Sequence, residues 1–218
     1  MIVDIIIYIG LKDRNFALTE QYNRETTGEC ARAFETKKNI PDKILHIMEN
    51  SKFNEDYSYL EIDEDTDIRK FHMIEREWKN VKESLRLQKF FDVVKPQLRF
   101  RKLGKHRAAW LYYPTLKCIC VDINYPSSFL HELGHYIDYI NEGGQLSLKG
   151  NFIPILRQYE IVYNRFLLSD DVNVPYLKRI RDYFNTPTEV FARCFELYLA
   201  EKGLNTSFLK DKEELKPA

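Results

Sequence analysis

The sequence predicts an α+β fold, a small antiparallel sheet packed by helices, and three observations carry that prediction. Apolar residues Ile68, Phe71, Ile74, Trp78, Val81 and Leu85 step by three or four, as one face of a long helix requires. Strand-like runs at Leu98 to Leu103, Ala108 to Tyr113 and Cys118 to Ile123 are parted by turn residues. The polar stretch Asn124-Tyr125-Pro126-Ser127-Ser128 then hands the last strand to a second helix, with Ser127 or Ser128 suited to cap it.

With 218 residues, 44% apolar and 30% charged, the chain suits one soluble domain or two small ones and argues against disorder or fibrous repeats. Its 33 basic residues cancel its 33 acidic ones, so net charge offers no footprint for nucleic acid or an anionic membrane. A partner has to be recognised by shape or chemistry.

Taken in order, Ile5 to Ile9 reads as a buried strand, because Asp4 interrupts the run and a secretory leader's basic flank and cleavage site are missing. No stretch reaches the roughly 18 to 20 apolar residues of a membrane-spanning helix, so a cytoplasmic location is expected. Pro41 to Glu49 reads as a helix with proline in its first turn. Alternation from Tyr57 to Ile62 predicts a strand, and Asp63, Glu64, Asp65 and Asp67 a solvated turn. The long helix runs from Ile68 to Phe91, with His72 read within its core stripe rather than as a site residue, and Lys95-Pro96 closes it. Pro114 to Lys117 is a turn. Of the four cysteines, Cys118 and Cys120 lie two apart in a strand, too far for disulfide geometry, and Cys30 and Cys194 form no CxxC pair. Free thiols and a reducing compartment are expected.

The chemistry begins at His131-Glu132-Leu133-Gly134-His135, an HExxH motif at the start of a helix that follows a strand. Positions i and i+4 are neighbours on a helix face, so both imidazoles can reach one ion at Zn–N distances of about 2.0 to 2.1 Å. Glu132 flanks the same site and can take the proton of a water held there. Phe129, Leu133, Tyr136, Ile137 and Ile140 turn toward the core, leaving His131, His135 and Asp138 on another row. Asp138 suits hydrogen bonding to a ligand imidazole or nearby backbone, against the readings of an ordinary helix-surface charge and of a direct third ligand. Gly134 in mid-helix costs about 1 kcal/mol relative to Ala, which hints that another backbone or the site approaches closely. Gly143-Gly144 ends the helix.

A catalytic zinc keeps three protein ligands and one open position, so a third ligand is sought downstream. Glu160, Glu189 and Glu196 are the candidates on helical segments. Glu189, Arg193 and Glu196 share one face of an otherwise apolar helix beginning at Pro187. Thr186 followed by Glu189 also spells a capping box, and spacing alone leaves these two readings of Glu189 even. Glu160 has the weaker claim, as an exposed acid on a core helix.

Taken together, the segments 131–138 (HELGHYID) and 186–196 (TPTEVFARCFE) resemble a zincin family found in large polyvalent proteins of phages and conjugative elements. Lethal-factor-like zincins look related. The resemblance spans about residues 97 to 202. It implies that His131, His135 and Glu189 bind zinc, that Glu132 is the general base, and that Arg193 and Glu196 brace the site. It makes Tyr183 a candidate to stabilise an oxyanion, against the reading of an aromatic packing residue. It also sets the strand Cys118 to Ile123 in the place of the edge strand that pairs with an extended peptide, against that of an inner strand.

The expectation is a zincin-like domain at 96–202, preceded by a region at 1–95 that sets specificity and followed by a tail at 203–218. Its expected function is zinc-dependent peptide-bond hydrolysis by a zinc-activated water, with a protein or peptide substrate, no nucleic acid and no membrane. The alternative is a zinc-bearing interaction module of a mobile element with little or no proteolytic activity.

Overall fold

The structure is a computed structural model that describes residues 40–85, 95–101, 110–114, 116–140, 144–168, 175 and 181–209. The strand expected at Ile5 to Ile9, the last residues of the helix expected to reach Phe91, and Cys30 lie outside these. Helix α1 (Asp42–Asn50) leads through a 3-10 turn (Lys52–Glu55) into strand β1 (Tyr59–Ile62). Helix α2 (Ile68–Leu85) follows, then strands β2 (Gln97–Phe100), β3 (Trp110–Tyr113) and β4 (Cys118–Val121). The helical half comprises α3 (Phe129–Tyr139), α4 (Ile153–Phe166), the single turn α5 (Arg181–Phe184) and α6 (Pro187–Glu201).

The α+β class is as expected, but the sheet is mixed where an antiparallel one was predicted. Its order is β1-β2-β4-β3, and only β3 and β4 run antiparallel. The reason is connection length: parallel neighbours need a crossover of a dozen or more residues, which α2 supplies between β1 and β2. The tight turn at Pro114 to Lys117, where Lys117 adopts φ 48°, makes β3 and β4 a hairpin, and β4 then inserts beside β2. The strand at Cys118 to Val121 is therefore an inner strand, buried along its whole length, and the edge-strand expectation for it fails. Continuous burial on both faces is what an uninterrupted Cys-Ile-Cys-Val run allows.

One face of the sheet, with Leu60, Ile62, Leu98, Phe100, Ile119 and Val121, packs on α2 and α3 through Phe71, Trp78, Phe129 and Leu133. The other face carries a smaller cluster of Leu111, Tyr113, Cys118 and Cys120. Cys118, Cys120 and Cys194 are free thiols, as expected. Strand β1 pairs with β2, and core residues of α1, β1 and α2 such as Ile44, Leu60 and Trp78 share one cluster with Leu98, Phe129 and Leu199. From the segment expected as a tail, Phe208 and Leu209 are buried, and Thr206 and Ser207 hydrogen-bond to Glu77 on α2. No helix among the described residues is long and apolar enough to cross a membrane.

Helices α3 and α6 pack closely where Gly134 faces Ala192. A Cβ on Gly134 of α3 would lie 3.0 Å from Ala192 Cα of α6. Glycine is what permits that approach, as its mid-helix position suggested.

Candidate metal centre

Helix α3 is entered through a 3-10 turn at Pro126–Ser128, and Ser128 stands at its N-cap without making the expected side-chain cap hydrogen bond. Every residue from Phe129 to Asp138 is buried, so the HExxH row points into the protein rather than into water. Burying two imidazoles and a carboxylate together is costly unless they are paired or hold a metal. What faces them is α6.

Glu189 is fully buried, with Oε1 3.1 Å from His135 Nε2 and Oε2 3.4 Å from His131 Nε2. The capping-box reading of Glu189 is not realised. Thr186 makes no side-chain cap, and its hydroxyl donates instead to the Asp182 carbonyl at 2.9 Å. Arg193, one turn along α6, holds Glu189 Oε2 at 2.9 Å and donates to the Phe184 carbonyl at 3.3 Å. Its guanidinium lies 4.4 Å from the Phe184 ring centre and 5.3 Å from that of Tyr183. Tyr183 thus packs as an aromatic against Arg193, and Tyr159 is buried beside the same guanidinium. Glu160 lies on the surface, 3.4 Å from Arg181, and has no place at the site.

The outer nitrogens of the histidines are engaged as well. Glu196 Oε2 is 2.9 Å from His131 Nδ1, and Thr188 Oγ1 is 2.9 Å from His135 Nδ1. Asp138 acts on the chain rather than on a histidine, accepting from the Ser147 amide at 2.6 Å and its hydroxyl at 2.8 Å. That ties the segment after α3 back to the helix. Sequence reading missed Thr188; its only signal was a polar side chain beside Glu189 on an apolar helix.

Electrostatics follow from the burial. Burial alone would push the His131 imidazolium down, yet Glu196 and Glu189 outweigh it and hold its pKa up to about 10. Burial opposes ionisation of Glu189, but His135, Arg193 and His131 keep it well below the usual carboxylate range. Glu132 is raised by burial, partly offset by the two histidines.

His131, His135 and Glu189 bring one donor atom each within 4.8 Å of one another and could hold a metal ion. A tetrahedral ion with ligands at about 2.0 to 2.1 Å separates its ligand atoms by about 3.4 Å, and the 3.1 Å from Glu189 Oε1 to His135 Nε2 is close to that edge. Glu132 Oε1, buried in the same group, has no hydrogen-bond partner among the described residues. The residues present fit a metal ion. Comparison of the chain with protein-family models, curated proteins and solved structures finds no match.

Proposed function

We propose that the chain is a zinc-dependent metallopeptidase of the zincin type, with His131, His135 and Glu189 as metal ligands and Glu132 as general base. The observation that carries this reading is the buried convergence of two Nε2 atoms and one carboxylate beside a Glu132 oxygen that has no hydrogen-bond partner among the described residues. Two imidazoles and one carboxylate favour zinc over the harder cations, which prefer all-oxygen sites.

When bound, zinc supplies a Lewis acid for a carbonyl oxygen and makes an adjacent water more acidic. Glu132 takes the proton of that water and passes it to the leaving amine. Burial raises its pKa, which suits a group that must both accept and return a proton near neutral pH. Arg193 holds Glu189 by one oxygen and leaves the other for the ion. The peptide pairs with β3, which stands at the end of the sheet order among the described residues and packs against α3.

The binding-module reading draws support from one observation, the near-complete burial of His131, His135, Glu132 and Glu189. Turnover separates the two. The purified chain should cleave an unstructured protein, stop with chelator and resume with zinc, and Glu132→Gln should keep the metal and lose cleavage. Metal-loaded wild type without cleavage of any peptide would favour the module, and full activity in Glu132→Gln would remove Glu132 from its role.

A further inference from the structure

The helix that carries Glu189 also supplies the partner of each histidine's second nitrogen. Thr188, Glu189 and Glu196 lie at positions i, i+1 and i+8 of α6, so ligand and both partners move as one body. Each imidazole directs Nε2 toward Glu189 and Nδ1 toward its own partner, at 2.9 Å in both cases. Both pairs are secluded, with Thr188 8% exposed and the Glu196 side chain 12% exposed.

The two partners differ in a way that matters for a metal. An imidazole can give a lone pair from Nε2 only when the ring hydrogen sits on Nδ1. The ionised Glu196 carboxylate can only accept, so it holds the hydrogen of His131 on Nδ1, and its charge also increases the donor strength of Nε2. The Thr188 hydroxyl can donate or accept, so it orients His135 without dictating its tautomer.

We propose that Thr188 is a positioning residue for the metal, fixing the ring of His135, and that Glu196, which the resemblance already implies as a brace, acts by governing how strongly His131 holds it. This rests on the metal reading of the centre.

The test uses the full chain with zinc ion alone, titrated against a chromophoric chelator. Glu196→Ala should bind zinc about 10- to 100-fold more weakly, and Thr188→Val more weakly than wild type but less affected than Glu196→Ala. Thr188→Ser should return to wild-type affinity, and Glu196→Gln, which keeps an acceptor but loses the charge, should fall between wild type and Glu196→Ala. Nitrogen-15 spectra of the zinc-loaded protein should show a hydrogen-bonded Nδ1–H on both histidines. The His135 signal should be lost in Thr188→Val and retained in Thr188→Ser. Wild-type affinity in both Thr188→Val and Glu196→Ala, a Thr188→Ser variant that behaves like Thr188→Val, or a larger loss in Thr188→Val than in Glu196→Ala would overturn the assignment. Failure of the wild type to take zinc at all would instead overturn the metal reading, and this inference with it.

Discussion

Adding one methyl group at Gly134 should loosen the metal centre without unfolding the chain. The new Cβ would meet Ala192 Cα at 3.0 Å, Ala192 Cβ at 3.3 Å and the Phe195 ring at 3.3 Å. Carbon atoms settle at about 3.5 to 4.0 Å, so α3 and α6 must part by about 0.5 Å, and the closest obstacle is backbone that cannot rotate away. Overpacking of this kind costs about 1 to 3 kcal/mol, while replacing a mid-helix glycine by alanine returns about 1 kcal/mol. The net destabilisation is therefore about 0 to 2 kcal/mol, small enough for the fold to survive. Metal ligation is far less forgiving, since ligand distances hold to about 0.2 Å. Glu189 lies three residues from Ala192 on the same helix and moves with it, while both histidines stay with α3. Gly134→Ala should bind zinc at least about tenfold more weakly, with a metal-free melting temperature lowered by only a few degrees. Chelator competition and a thermal melt of the metal-free protein read the two quantities separately. Wild-type zinc affinity in this variant would refute the argument that the helix contact sets the ligand geometry.

Arg193→Met strands the buried Glu189 carboxylate, and breaking such a pair costs about 3 to 5 kcal/mol; urea unfolding of the metal-free variant should show that loss, and saturating zinc should recover part of it. Zinc uptake should release a proton, because Glu196 and Glu189 hold the His131 imidazolium up to about pH 10 when no metal is present. Affinity should accordingly weaken as pH falls from about 8 to about 6. Calorimetry in two buffers of different ionisation enthalpy measures the proton directly, and identical heats would contradict it. Phe208→Ala should cost about 3 to 5 kcal/mol in chemical denaturation, because that ring is fully buried against Phe129 at 5.0 Å between centres. A cost under about 1 kcal/mol would return the segment after residue 203 to the status of a tail.

The parts of the centre that were legible in the sequence are those fixed by helical spacing. His131 and His135 share a face because they are four apart, and Gly134 between them signalled the approach of a second backbone. Glu189 was ambiguous, since a capping box and a buried ligand use the same residue types at the same spacing. Thr186 removes the capping-box reading, its hydroxyl turning back to Asp182, and leaves Glu189 facing the two histidines. Thr188 was invisible because its role depends on where α6 crosses α3, which no local pattern encodes. Strand positions were legible from residue type, but strand order was not. The alternation in Tyr59 to Ile62 does not say that β1 pairs with β2, nor that β4 inserts between β2 and β3. Such order depends on contacts between segments distant in sequence, as does the burial of Phe208 and Leu209.

The proposed metal centre takes Glu189 and not Glu160 as its third ligand, and bound zinc per chain by elemental analysis decides between them. Wild type and Glu160→Ala should each carry one zinc, and Glu189→Ala should carry none after the same dialysis. Zinc retained in Glu189→Ala, or absent from wild type after supplementation at neutral pH, would contradict the account.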